Sequence, residues 1–531
     1  MLRRLAVTTG FKLYCQSQRP RAVAFARSLR RPEESQQHTL QDILGHLART
    51  SYGRQLRLTG KESVAEFHQR VPVVTFDQLR PWVDRQKAGE SALCAEPVVV
   101  FEKTSGSSGP AKYIPYTTSL KRSFASMFYL WTYDLFRNAI KPRTGRMFFS
   151  ISPAFQAPEV LQTGVKVGFG DDSEYLPPVA RNLLKPFLNM PPRLKSVQDP
   201  FTYRRLLSSY LLADEDLETL SIWNPSYWTC LLDFIVEHRT TLRQDLERGY
   251  VDVGTQRFTL PATRPWQRDL FSSSELDWRA VWPHLQLISC WQDGAAQLPF
   301  QKLAALFDHV LLQGKGLLAT EAPMTIPLHS VTGGVPLVGE IFFEFRDSRG
   351  QIHRLHEIAA GEEYELIISQ KGGLVRYAIG DRVKVVGEIE RTKTLRFVGR
   401  GNQVVDMVGE KLNEAFVRGE LAELFAAQRS FWCLLPQHGH SRSRYLCLTD
   451  RMNLSEAQIA EIDNRLQQAV HYRTARGLGQ LDPVHVVARS DAEKRYYEFF
   501  VSQGMKWGDI KPSVLLTNTN SAAQLIEFIA A

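Results

Sequence analysis

The chain lacks the marks of a membrane or secreted protein. No apolar run in its 531 residues approaches the ~20 needed to span a bilayer. Cysteine is scarce. Cys15, Cys94, Cys230, Cys290, Cys433 and Cys447 lie far apart and form no C-x-x-C pair, which argues against a disulfide framework and for reduced thiols in a cytoplasmic protein. Acid is missing from the N-terminus: "MLRRLAVTTGFKLYCQSQRPRAVAFARSLRRP" precedes the first carboxylate, Glu33. No long apolar stretch follows Arg3 and Arg4, so a secretory signal is not expected. An organellar transit peptide is one alternative; a basic helix packed on the domain surface is preferred. The basic residues do not interleave with a nucleic-acid motif, so neither nucleic acid nor membrane is expected as a partner. There are no internal repeats and no low-complexity linker.

What is present suits a large core. Hydrophobic residues make up 44% and charged residues 23%, the proportions of an ordinary globular chain, and the length exceeds one compact domain. A formal net charge of +9 leaves anionic ligands unrepelled. In 38–50, "HTLQDILGHLART", Leu40, Ile43, Leu44 and Leu47 share one helical face. Val98 to Phe101 reads as a β-run breaking into a Gly-rich loop, and 118–138 as helix. Runs such as "LQLISCW" and "HVLLQGKG" alternate with helical stretches, which predicts an α/β domain. From residue 336 the texture turns β-rich, with "PLVGEIFFEFRD", "EYELIISQ", "RVKVVGEI" and "TLRFVGRG" predicting an antiparallel subdomain. After Gly401 a smaller α/β piece follows. Its strands are "SFWCLLP", "RYLCLTD" and "PVHVVAR"; one helix opens on a Ser455–Gln458 capping box with Ile459, Ile462, Leu466 and Val470 on one face, and "AEKRYYEFFVSQG" is another. The expected boundary near Arg400 to Asn402 divides the chain into 1–400 and 401–531.

Four stretches carry candidate chemistry. In "TSGSSGPAKYIPYT", close glycines let backbone N–H groups converge on an anion, Thr104, Ser105, Ser107 and Ser108 add hydroxyls, and Lys112 adds a cation. It is not a Walker loop, because G-x-x-x-x-G-K-[ST] is unmatched and Tyr113 follows Lys112; the G-x-S-x-G elbow is also absent. The same "GSSG" resembles the Ser-rich loop of amidase-signature hydrolases. In "QGKGLLATEAPMTIPL", Glu321 follows Thr320 after an apolar run, where a carboxylate suits a divalent cation. In "GLVRYAIGDRVKVVG", Asp381 follows Gly380 at an expected turn between strands and suits the hydroxyls of a ribose; plain turn chemistry is the alternative. In "LRFVGRGNQVVDMVGEKLNE", Arg400 lies nineteen positions after Asp381. His353 with His356, or His438 with His440, lacks further ligands at metal-site spacing.

Taken in order, these stretches resemble the adenylate-forming enzymes. More narrowly, the chain is similar to the auxin-responsive-promoter (Gretchen Hagen) family of acyl acid–amido synthetases. Stretches such as "VGFGDDSEYL", "SIWNPSYW", "LISCWQDGAA", "LLATEAPMTIPL" and "GDIKPSVL" look like its bacterial-type members. The resemblance runs from about Gln36 onward. It implies a large N-terminal adenylate-forming domain, with mixed sheets, helices and a β-rich subdomain, and a smaller mobile C-terminal α/β lid. It implies ATP and Mg²⁺, with a small carboxylic acid and an amine, foremost an amino acid, as substrates. By this similarity Thr104, Ser105, Ser107 and Ser108 line the phosphate loop, and Lys112 steadies it or touches phosphate. Thr320 meets the α-phosphate and Glu321 holds Mg²⁺. Tyr377 lies near the nucleotide, Asp381 binds the ribose with Arg400, and Lys411 and Glu414 follow the hinge. Lys511 is the C-terminal lysine that closes over the nucleotide. The acid pocket is expected around Trp223 to Trp228 and Ser289 to Gly294, with Trp223, Trp228 and Trp291 as an aromatic wall. The sequence departs from the pattern at Asn402, where Asp or Lys is usual, and around Lys511, where Ile510 precedes the lysine and an arginine is missing.

Other readings are a thioester ligase with another acceptor, an amidase-type serine hydrolase using Ser107 or Ser108, and a binding protein without turnover. Replacing Ser107 separates cradle from nucleophile. Ser107→Ala should retain partial ATP-dependent activity, falling by ~10²–10³-fold or less, because neighbouring donors remain. A dead alanine variant, with ATP-independent amide hydrolysis and a trapped acyl-serine in the wild type, would establish the hydrolase instead.

Overall fold

Four short strands from the middle of the chain meet in one parallel sheet. Its order is Leu311–Gln313, Leu287–Ser289, Leu217–Ser221, Arg146–Phe149. The computed structural model describes residues 2–103, 112–149, 159–169, 172–176, 178–191, 193–194, 197, 199–261, 276–400, 404–405, 407–408, 410, 412–426, 430–438, 443–477 and 480–530. Every residue of Leu217–Ser221 is buried, as a parallel strand covered on both faces requires. Helices Pro200–Leu212, Pro225–Glu237 and Gln297–Leu306 contribute to that cover, and the core gathers Leu220, Trp228, Ile235, Trp282, Leu303 and Phe307. A second sheet pairs Val98–Lys103 with Tyr113–Thr117 on either side of the Ser/Gly loop.

The β-rich region forms a seven-stranded antiparallel sheet in the order Thr325–Pro327, Gly334–Pro336, Thr392–Arg400, Tyr377–Ile389, Glu363–Ser369, Phe342–Arg346, Ile352–Arg354. Beyond it, Trp432–Gln437, Arg444–Thr449 and His485–Ala488 form a three-stranded sheet. One core there packs Leu434 and Tyr445 against Val417, Leu421 and Ile462, and another packs Leu435 and Leu448 against Tyr496, Tyr497 and Leu525. Helix Glu456–Leu466 opens on the expected capping box, with both reciprocal Ser455 and Gln458 bonds present.

Some boundaries move for identifiable reasons. The helix expected over 38–50 starts earlier and spans Pro32–Leu47, because Pro32 fits the first turn and Glu33 and Glu34 favour its positive end. The helix expected over 118–138 is α-helical for Thr118–Asp134 and becomes a π-turn over Leu135–Ala139. The basic N-terminal segment is helix Leu2–Arg30. It packs on Thr118–Asp134 and the π-turn: Tyr14 bonds Thr132 at 2.5 Å, Phe11 meets Phe136 edge-on at 4.5 Å, and Arg21 lies 4.6 Å from the Tyr129 ring centre. Among the described residues no helix is long and apolar enough to cross a membrane.

One buried pair ties the N-terminal helices to the antiparallel sheet. Arg376 donates to Glu344 through Nε at 3.1 Å and Nη2 at 2.8 Å, and through Nη1 to the Val71 carbonyl at 2.8 Å. Glu344 is fully buried and Arg376 nearly so. Arg376 also holds φ +47°, uncommon for a residue with a Cβ, so its neighbours over-determine its place. Arg376→Met leaves the buried Glu344 carboxylate without its guanidinium, beside the His68 ring 3.0 Å away. It should cost about 3–5 kcal/mol, read as an earlier urea transition in tryptophan fluorescence.

Candidate active site

The site begins at the level ends of three parallel strands. Ser221 pairs with Ser289, and Ser289 with Gln313, so these strands finish together. Two residues past each end stand Trp223, Trp291 and Lys315. Crevices outside the carboxyl ends of parallel strands are where open α/β sheets bind ligands. Main-chain bonds continue across the loops: Trp291 N donates to the Trp223 carbonyl at 2.8 Å and Cys290 N to that of Gln313 at 3.1 Å. The Trp223 and Trp291 rings lie 5.8 Å apart at 46°. Lys315 Nζ donates to Ser221 Oγ at 2.8 Å and lies 5.0 Å from the Trp223 ring centre. Trp228 does not join this wall. It is fully buried and packs against Trp282 at 5.4 Å and Phe148 at 6.1 Å, because its place in helix Pro225–Glu237 faces the core. Gly294 has φ +62°, and a Cβ there would stand 2.8 Å from the Phe397 ring, so glycine lets the antiparallel sheet close against this loop.

Thr320 and Glu321 form the two-residue tip of a hairpin between Leu318–Ala319 and Ala322–Pro323. The tip is held by its own carbonyls: Tyr116 Oη donates to Thr320 O at 2.6 Å and Gln370 Nε2 to Glu321 O at 3.2 Å. Glu321 is buried, 5% exposed. One buried carboxylate on a pinned turn suits a Mg²⁺ held mainly by substrate phosphates; among the described residues no group of three or more His, Cys, Asp or Glu gathers to hold a metal by itself. Lys112 Nζ donates to Tyr377 Oη at 3.0 Å, and Tyr377 is fully buried, so this lysine braces the start of strand Tyr377–Ile389. Asp381 is not at a turn between two strands. It lies inside that single strand, where Gly380 at φ +85° introduces a bulge and the ladder resumes at Arg382 opposite Glu365. Asp381 is buried and pairs across the ladder with Arg400. Thr104, Ser105, Ser107 and Ser108 lie outside the described residues, as do Asn402 and Lys411.

A cavity of about 170 Å³ is lined on one side by Trp291, Lys315, Leu318, Ala319, Asp381 and Phe397; Trp223, Gly294, Lys112, Thr320, Glu321 and Tyr377 lie outside its lining. Glu414, Arg418, Tyr496, Asp509 and Lys511 line the other. Lys511 Nζ stands 4.0 Å from the Trp291 ring centre, and Asn224 Nδ2 donates to the carbonyl of Ile510. The structure thus brings Asp381, Trp291 and Lys511 to one space and the base of the Thr320–Glu321 hairpin to its edge. Burial raises the carboxyl of Asp293 to about 6, against the pull of Arg396 and the Phe397 N–H. Burial also raises Asp509, opposed by Lys506 and Lys511. Asn224 and Asp293 fall within the stretches 223–228 and 289–294 expected to build the acid pocket, though neither is singled out there. Sequence reading missed Lys315, which lies two residues past a parallel strand, the signal that locates it.

Comparison with known proteins agrees with this architecture. Residues 21–312 match the GH3 family N-terminal domain and residues 334–400 the GH3 family central domain. A probable indole-3-acetic acid-amido synthetase GH3.12 of Oryza sativa subsp. japonica is 25% identical over 457 residues, covering 73% of this chain and 72% of that protein. Jasmonoyl–L-amino acid synthetase JAR4 of Nicotiana attenuata is 24% identical over 71% of each chain. The solved structure of AtGH3.15 acyl acid amido synthetase in complex with 2,4-DB shares the fold, with TM-score 0.82 at 20% identity over 95% of both chains. A 2-hydroxyisobutyryl-CoA ligase shares it more distantly, with TM-score 0.53 at 13% identity over 94% of this chain and 91% of that one. These relatives lend no support to a bacterial-type placement within the family. The family models together span more than half of the sequence, and the chain belongs to the GH3 family.

Proposed function

We propose that the chain is an acyl acid–amido synthetase that activates a small carboxylic acid with ATP and transfers the acyl group to an amine, foremost an amino acid. The observation that carries this reading is the cavity where the parallel-strand ends, the Asp381 strand and Lys511 converge. In the first step a carboxylate oxygen attacks the α-phosphorus of ATP, and the bond to the bridging oxygen breaks as pyrophosphate leaves. In the second the amine displaces AMP. The first step brings anions together, so the chain must offset their repulsion with cations and N–H donors.

The roles are those the family resemblance implies, supported by placement where the residue is described. Asp381 takes the ribose hydroxyls, with Arg400 opposite it in the ladder. Thr320 donates toward the α-phosphate from the hairpin tip, and Thr104, Ser105, Ser107 and Ser108 contribute the phosphate loop. Lys112 steadies that region through Tyr377. Glu321 holds Mg²⁺, which when bound neutralises charge building on the phosphates. Trp223 and Trp291 give the acid an aromatic wall, and the Gly294 turn sets its distance from Phe397. Residues 401–531 act as a mobile lid that carries Lys511 onto the site.

Pyrophosphate exchange over aryl, indole and fatty acids, followed by amino acids with the best acid, tests the reading. Release of ADP and phosphate instead of AMP and pyrophosphate would overturn it. Glu321→Gln should slow exchange by roughly a hundredfold or more at fixed Mg²⁺, because the metal loses its anionic ligand. Asp381→Ala removes charge-assisted hydrogen bonds worth ~1.5–3 kcal/mol each. The apparent KM for ATP should therefore rise roughly ten- to a hundredfold in steady-state kinetics. Unchanged ATP kinetics in the folded variant would take Asp381 out of the site.

A further inference from the structure

An amino acid reaches an acyl-adenylate as an ammonium ion, which cannot attack until it loses a proton. An amido synthetase therefore needs a group that holds the ammonium and accepts that proton beside the acyl carbon. Among its carboxylates the cavity counts Asp293, Asp381, Glu414 and Asp509. Asp381 is assigned to the ribose above. Glu414 is engaged by Arg418 at 2.6 Å and by the Val514 N–H at 3.3 Å. Asp509 lies between the charges of Lys506 and Lys511.

Asp293 also has neighbours, the Arg396 charge and the Phe397 N–H, but its position differs. It stands two residues past Trp291, on the acid wall, and next to Gly294, which packs on Phe397. Phe397 and Asp381 belong to paired strands on the nucleotide side. Asp293 is thus at the seam between the two walls, where an acyl-phosphate bond must lie. It precedes the short helix Gly294–Ala296, yet its side chain makes no cap bond to it. Burial raises its carboxyl to about 6, so it is ionised at neutral pH yet able to take a proton.

We propose that Asp293 holds the ammonium of the amine substrate and takes its first proton as the amine attacks the acyl-adenylate. This rests on the amido synthetase reading above. The nitrogen lone pair forms the C–N bond, the bond from acyl carbon to the phosphate oxygen breaks, and AMP leaves with that electron pair. The second ammonium proton passes to solvent as the tetrahedral intermediate collapses. Charged groups sharing the space are Arg396 beside Asp293, Asp381 and Lys315 on the same side, and Asp509, Lys511 and the Glu414–Arg418 pair opposite. A base must be ionised, so amide formation should rise as pH is raised through about 6.

The test uses the full-length wild type and Asp293→Asn with the acid that exchanges fastest. Three rates are read on each sample: pyrophosphate exchange, conjugation to the best amino acid, and hydroxamate formation with hydroxylamine, a nucleophile uncharged at neutral pH. The expected result is that conjugation falls ~10²-fold, at least tenfold more than the other two, and loses its rise near pH 6. An equal fall in all three, or no fall in conjugation, overturns the role of Asp293. If Asp293→Asn melts below the wild type, Asp293→Ser is judged by the same ratios. Absence of acid-dependent exchange in the wild type instead overturns the synthetase reading, and this role with it.

Discussion

The level ending of three parallel strands is the constraint on which the site depends. Because Ser221, Ser289 and Gln313 share one register, the residues that follow them reach the same crevice. A slip by one residue would turn every side chain to the other face. The strands cannot slip cheaply, since Leu217, Leu220, Leu287 and Ile288 are all buried. Register set by core packing thereby places Trp223, Trp291 and Lys315, none of which the core itself requires.

A second constraint brings the antiparallel sheet to that crevice. Its long hairpin, Tyr377–Ile389 with Thr392–Arg400, supplies Asp381 from one strand and Phe397 from the other. The Arg376–Glu344 pair holds the start of the hairpin from behind through the carbonyls of His68 and Val71. Lys112 braces the next residue, Tyr377, from the segment after the Ser/Gly loop. Contact between Phe397 and Gly294 then fixes the gap between the two sheets. The Trp291 side and the Asp381 side are thus set by packing on opposite sides of one narrow seam.

Much of this was legible in the sequence where local physics decides alone. The Ser455 capping box, the alternating strands after residue 336 and the apolar runs "LQLISC" and "HVLLQ" each follow from spacing and polarity. Reading failed where tertiary context decides. Gly380–Asp381 has turn chemistry, yet the ladder on both sides converts it to a bulge. Trp223 and Trp228 stand five residues apart in one stretch, and only the helix beginning at Pro225 leaves one beside Trp291 and sends the other to the core. Asp293 looks like an ordinary loop acid, and its burial is visible only once Phe397 arrives from a strand a hundred residues later.

The contact between Lys511 and Trp291 shows how the acid wall and the C-terminal region are coupled. A cation over an indole is worth ~0.5–2 kcal/mol, depending on how dry it is. A substrate ring that buries ~100 Å² against the same indole gains ~2.5 kcal/mol. The two are of similar size, so an aromatic acid can compete with the lysine for the face of Trp291. Asn224, one residue after Trp223, holds the backbone of Ile510 at the same point. Under the proposed reading of Trp223 and Trp291 as the acid wall, its occupancy and the place of Lys511 are coupled through contacts weak enough to exchange.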